Sequence, residues 1–165
     1  MLNRSLTAAI ALSCVALMAQ GGQFCRDDIA ATAPDSRFQD NGDGTVTDLA
    51  TGLVWKQCAE GLSGADCSTG NAILFTWQQA LQHTASNSGW RLPNKNELAS
   101  LVERRCYDPA INIRFFPHTP SSIFWCSSPY ARSSSRAWSV ALRYGHVESN
   151  SKNDAHYVRM VQGGQ

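Results

Sequence analysis

Cysteine, arginine and tryptophan are the residues of this sequence whose types and spacing point to chemistry. The six cysteines are Cys14, Cys25, Cys58, Cys67, Cys106 and Cys126. None stands in a CxxC pair, so zinc-binding and thioredoxin-like readings lack their spacing signal. Cys58 and Cys67 enclose a short loop that contains Gly61 and Gly64, and closing it is cheap. Cys106 and Cys126 flank a proline-containing stretch. The spacing predicts disulfides Cys58–Cys67 and Cys106–Cys126. Cys25 is then left over, either as a thiol near the mature N-terminus or as a disulfide link to a second chain.

Metal and nucleophile chemistry find less support. The four histidines, His83, His118, His146 and His156, show neither HxxxH nor HExxH spacing. Asp40, Asn41, Asp43 and Asp48 crowd the hard oxygens that calcium takes. An EF-hand loop with its glycine at Gly44 would begin at Gln39 and close at Ala50, and neither carries a carboxylate. Asn41-Gly42 and Asp43-Gly44 are hairpin turn signals, so a turn is the expectation and calcium its alternative. There is no GxSxG and no glycine-rich phosphate loop. The reading is a non-enzyme without a cofactor.

Charge gives the positive lead. The whole chain carries a net charge of only +1, which argues against nucleic acid as the partner. The balance is uneven: residues 1–90 hold 4 basic and 8 acidic residues, and residues 91–165 hold 10 basic and 5 acidic. In the basic part, aromatic residues interleave with Arg132, Arg136, Arg143, Lys152 and Arg159. Arginine suits sulfate and carboxylate through its planar fork. Tyr130, Arg132, Arg136, Trp138, Arg143 and Lys152 are the candidate ligand-binding residues, for an acidic or sulfated glycan or a protein partner.

The elements that must position these residues follow from pattern. Leu6 to Ala19 is an uncharged, mostly apolar run behind Arg4, the form of a signal peptide over 1–19, with cleavage after Ala19 or Gly21. It is too short to span a bilayer, and no later run is long enough. A lipoprotein alternative would acylate Cys14. Export to the periplasm, cell surface or medium places the cysteines where disulfides form. Residues 20–36 read as a flexible tail, and 37–162 as one domain. Strand-like runs flank the Asp40–Gly44 turn. Thr76 with Gln79 and Asn94 with Glu97 each open a helix through a capping box. Runs at 123–126, 137–142, 146–148 and 156–161 predict a C-terminal antiparallel meander. Strands, two helices and strands again make an α+β domain.

Several strings, in order, resemble one family. They are Asp40-Asn41-Gly42-Asp43-Gly44-Thr45-Val46-Thr47-Asp48, Thr51-Gly52-Leu53-Val54-Trp55, Gly89-Trp90-Arg91-Leu92-Pro93-Asn94 with Glu97-Leu98, Pro109-Ala110-Ile111-Asn112, Phe124-Trp125-Cys126-Ser127-Ser128 and Tyr157-Val158-Arg159. The family is that of the C-terminal domain of the bacterial collagen-like adhesin Lcl. The resemblance implies a C-type-lectin-like α+β fold, an exported binding or adhesion module and glycosaminoglycan recognition. No collagen-like Gly-X-Y segment is present to drive trimers. A structural role in an envelope or surface-appendage complex is an alternative. Arg91-Leu92-Pro93 also resembles the sulfatase-modifying enzymes built on a variant of that fold. Those use a C-terminal cysteine pair, whereas the last cysteine here is Cys126.

Overall fold

A computed structural model describes residues 22–164. The expected signal peptide, with Cys14, lies outside the described residues. The chain runs through β1 (Phe24–Cys25), β2 (Phe38–Asp40), β3 (Thr45–Asp48), β4 (Val54–Lys56), β5 (Leu62–Ser63) and β6 (Thr69–Gly70). Helices α1 (Trp77–Ala85) and α2 (Lys95–Ser100) follow. Then come β7 (Cys106–Tyr107), β8 (Ile123–Pro129), β9 (Arg136–Ala141), β10 (His146–Ser151) and β11 (Val161–Gln162). Strands β11-β4-β3-β2 form one antiparallel sheet and β10-β9-β8 another; β1 pairs with β7 and β5 with β6. The architecture is α+β.

The first sheet forms because its turn residues leave no other choice. Gly42 and Gly44 sit at φ +74° and +82°, where other residues are strained. The Asp40 carboxylate accepts the Gly42 N–H at 2.9 Å, and that of Asp43 accepts the Thr45 N–H at 3.0 Å. Asp48 lies elsewhere. It is fully buried and takes a two-pronged bond from Arg37, whose Nε donates at 2.8 Å. Burial raises the Asp48 carboxyl, but the bonds from Arg37 and Thr51 outweigh it and hold the group below the ordinary range. The oxygens of the calcium alternative therefore serve two separate turns. Among the described residues no cluster of three metal-ligating side chains occurs.

Both predicted capping boxes are present. Thr76 accepts from the Gln79 N–H, and Gln79 reaches back to the Thr76 N–H at 2.9 Å. Asn94 accepts from Asn96 and Glu97, and Glu97 reaches back to the Asn94 N–H at 2.7 Å. Glu97 is also gripped by Arg91 through two contacts of 2.7 Å. One core joins Val46, Trp55, Leu98, Leu101, Phe116, Phe124 and Val140; a second, smaller one holds Ala80, Leu92, Trp125, Ala137, Val158 and Met160.

Four sequence expectations are corrected. Cys106 bonds Cys25, not Cys126, and Cys126 is a buried free thiol; Cys58–Cys67 is as predicted. Cys25 is thus engaged within the chain rather than left for a partner. The tail expected over 20–36 is, in its described part, tied down. β1 pairs with β7, Ala33 is buried, and the buried Glu103 carboxylate accepts the N–H groups of Thr32 at 3.1 Å and Ala33 at 2.9 Å. Residues 156–161 do not close the meander as its fourth antiparallel strand. Tyr157 pairs in parallel with Phe124 at the outer edge of β8, and the chain then crosses to set Val161 against Trp55. On that crossing Arg159 is no surface cation. Its buried guanidinium donates to the Lys56 and Gln57 carbonyls and to Thr119, and burial lowers it to about 9. The neutral oxygens take the place of water around the charge.

Two predictions follow from this wiring. Non-reducing peptide mapping should recover Cys25–Cys106 and Cys58–Cys67 peptides, and native protein should leave Cys126 unmodified by iodoacetamide. Burial pushes its thiol up to about 12, so almost no thiolate exists at neutral pH. A Cys106–Cys126 peptide would contradict the arrangement. Chain-entropy reasoning gives about 4.5 kcal/mol for the long loop and about 2.6 kcal/mol for the short one.

The second concerns Glu97. Burial raises its carboxyl, but Arg91 and the Asn94 N–H prevail and hold it below the ordinary value. A depressed carboxyl contributes stability above its unfolded pKa, about 4.3, that is lost as pH falls through its folded value. Glu97→Gln should cost about 1.5–3 kcal/mol at pH 7, the scale of hydrogen bonds to charged groups. Variant and wild type should converge in melting temperature toward about pH 2. An equal gap at both pH values would show that charge is not the source.

Candidate functional site

The β8–β9 connection gathers most of the candidate residues. β9 alternates, with Ala137, Ser139 and Ala141 on one face and Arg136, Trp138 and Val140 on the other. Trp138 stands opposite Ser149, and Arg136 opposite Ser151. The connection is closed by its own backbone: Tyr130 N–H to the Arg136 carbonyl, Ser133 N–H to Tyr130 and Arg136 N–H to Ser133, each at 3.1 Å. Tyr130 meets Trp138 edge to face with ring centroids 5.0 Å apart. Arg132 is exposed on this connection. Arg136 is half-buried; its Nε donates to the Ser149 hydroxyl at 3.1 Å and a second nitrogen to the Ser149 carbonyl.

Two lysines complete the cluster. Lys152 donates its N–H to the Ser135 carbonyl at 2.8 Å, and its Nζ lies 4.3 Å from the centre of the Trp77 ring. Lys95, the first residue of α2, sets its Nζ 4.8 Å from the centre of the Trp138 ring, while its N–H donates to Ser128 at 3.1 Å. Trp77 belongs to the Trp125 core and donates its Nε1–H to the Cys126 carbonyl at 2.8 Å; Trp138 packs on the Phe124–Val140 core. The two Lys–Trp pairs therefore flank the end of β8, one on each face of the sheet.

Lys95, Arg132, Arg136 and Lys152 form no ion pair with a carboxylate among the described residues. The acids of the basic half have other work. Glu97 holds Arg91, Glu103 holds the segment before β2, Asp108 holds Arg143, Glu148 contacts His146 and Asn150, and exposed Asp154, two residues from Lys152, accepts the Ser151 N–H at 3.2 Å. The result is a positive, aromatic-walled surface that can hold a ligand with several anionic groups through charge-assisted hydrogen bonds.

Of the six candidates, Tyr130, Arg132, Arg136, Trp138 and Lys152 come together. Arg143 does not. It follows the opposite end of β9, pairs with Asp108 at 3.2 Å and stacks on Tyr144. Lys95 and Trp77 were not singled out by sequence. The available signal was Lys95 itself: a lysine in the first turn of a helix opposes the dipole, a local mismatch of the kind that functional or strained positions carry. A cavity of about 450 Å³ beside the N-terminal sheet is lined by Asp40, Lys56 and Glu60, and Lys56 pairs with Glu60 at 3.1 Å.

No curated protein matches the chain in sequence. The model of one protein family does, over residues 44–162, a span that includes the hairpin from Gly44, both capping boxes, the cationic strand end and the return strand β11. That span is most of the chain, and the chain therefore belongs to the Lcl C-terminal domain family.

Proposed function

We propose that this domain is an exported binding module that holds an acidic, sulfated glycan across the β8–β9 end. Lys95, Arg132, Arg136 and Lys152 supply the charge, and Trp77, Tyr130 and Trp138 supply the apolar walls. The observation that carries the reading is the gathering of four cations without carboxylate partners, two of them seated on tryptophan rings. A cation over a ring keeps its charge while its stem is fixed, so less side-chain freedom is lost on binding. Family membership supports the reading through what the resemblance implies. Export is part of the reading, supported by two disulfides; no helix among the described residues is long and apolar enough to cross a membrane. The C-type-lectin-like fold belongs to it as well, supported by two helices beside antiparallel sheets and a C-terminal strand that returns to the N-terminal sheet. We read the domain as non-enzymatic, and the buried Cys126 thiol is a poor nucleophile.

Heparin chromatography tests this. Wild type should be retained at low salt and elute steeply as salt rises, because the screening length falls from about 10 Å at 0.1 M to about 3 Å at 1 M. Each exposed contact is worth about 0.2–1 kcal/mol, so Arg132→Ala with Lys152→Ala should weaken binding about two- to thirty-fold. Arg143→Ala should leave retention unchanged, because Arg143 lies beyond the other end of β9. Flow-through of wild type at low salt would sink the proposal, and a protein partner would become the leading reading.

A further inference from the structure

At the opposite end of the molecule from the cationic strand end lies a second cavity, of about 350 Å³. It is lined by Arg26, Ile29, Arg104, Arg105, Tyr107 and Tyr144, with Cys106 at its base. Its frame is rigid. β1 pairs with β7, the Cys25–Cys106 bridge joins the two strands, and the Arg26 N–H extends the ladder to the Arg105 carbonyl at 2.8 Å. Phe24 stacks on Tyr107 with centroids 5.3 Å apart, and Arg143 lies against Tyr144 at 5.1 Å.

This wall is both apolar and basic. Of its lining, Ile29, Tyr107 and Tyr144 are large hydrophobic side chains that the domain leaves exposed, Tyr144 at 59%, and exposed Phe24 borders it on Tyr107. No carboxylate lines the cavity. Arg26 is satisfied by Asp28 at 2.6 Å and Arg105 lies 4.0 Å from the buried Glu103, while exposed Arg104 has no ion pair among the described residues.

We infer that this cavity docks an acidic peptide segment of a partner protein, one that sets an aromatic or aliphatic side chain beside a carboxylate. The apolar side chain covers Ile29 and Tyr144 and enters between the tyrosines. The carboxylate meets Arg104 and the outer edge of Arg105. Exposed tyrosine, phenylalanine and arginine on a rigid frame have the composition of a protein-binding hot spot. A sulfated sugar matches the charge but offers no comparable apolar surface to cover Ile29 and Tyr144. The rings at the strand end, by contrast, already carry lysines.

The probe is the short peptide acetyl-Glu-Phe-Asp-Trp-Glu-amide, titrated into isotope-labelled mature domain and followed by backbone amide shifts. Saturable shifts are expected around Tyr107 and Tyr144. The version with Gln and Asn in place of the acids should bind about tenfold more weakly, as should Arg104→Ala and Tyr144→Ala. Both substituted side chains are exposed, so the disulfides and melting temperature should be unchanged, and heparin retention should equal wild type. No saturable shift, or shifts confined to the Trp138–Lys152 end, overturns the inference. So does a loss of heparin retention in Arg104→Ala, which would make the cavity a glycan subsite. Failure of wild type to bind heparin sinks the glycan reading and leaves this one standing.

Discussion

The clamp between Arg91 and Glu97 is the interaction on which the rest of the domain depends. Its fork holds the Glu97 carboxylate with two contacts of 2.7 Å, and the same carboxylate caps α2 at the Asn94 N–H. The Arg91 backbone forms a reciprocal pair with Val161, both bonds at 3.0 Å, which ties the helix entry to the N-terminal sheet. Two residues on, the Pro93 carbonyl accepts the Ser127 N–H at 2.8 Å, which ties the same entry to β8. A segment of seven residues thus joins both sheets and one helix. Lys95 sits inside it, so the clamp fixes the backbone from which this side chain reaches the Trp138 ring.

Local signals explain which parts were legible from sequence. Capping boxes and Asn-Gly or Asp-Gly turns act within four residues, so Thr76, Asn94 and the Asp40–Gly44 turn could be read directly. The second disulfide could not. Loop closure favours near partners, and that preference selects Cys126 for Cys106 over Cys25, which is 81 residues away. Closure cost grows only logarithmically with length, so pairing between β1 and β7 overrides it. The placement of 156–161 failed for a related reason. Alternating residues predict a strand but not its neighbour, and this one serves two sheets in turn.

The site shows the same division. Tyr130, Arg132, Arg136 and Trp138 are near in sequence and converge across one closed connection. Lys152 joins them because β10 runs antiparallel to β9 and returns to the start of that strand. The same geometry removes Arg143, which follows the far end of β9 and so belongs to the region of Tyr144 and Arg104. Arg159 is the sharper lesson. Its position among aromatic and basic residues suggested a surface role, but it is fully buried between buried Val158 and Met160 on the segment that leads into β11.

A chain of net charge +1 leaves Lys95, Arg132, Arg136 and Lys152 without ion pairs among the described residues because of where its acids go. Composition sets the total, and the fold sets the distribution. Glu97 and Glu103 are drawn inward to satisfy backbone N–H groups, and Asp108 is drawn to the far end of β9 by Arg143. Glu97 and Asp108 meet Arg91 and Arg143, and Glu103 meets backbone N–H groups, so none of the three faces Lys95, Arg132, Arg136 or Lys152. At physiological ionic strength the screening length is about 8 Å, so an anionic ligand responds to the cluster within that distance and not to the total. Acids that anchor the framework and cations that face solvent are therefore two consequences of one arrangement. A substitution that frees an anchoring carboxylate would lower stability and weaken the local field together.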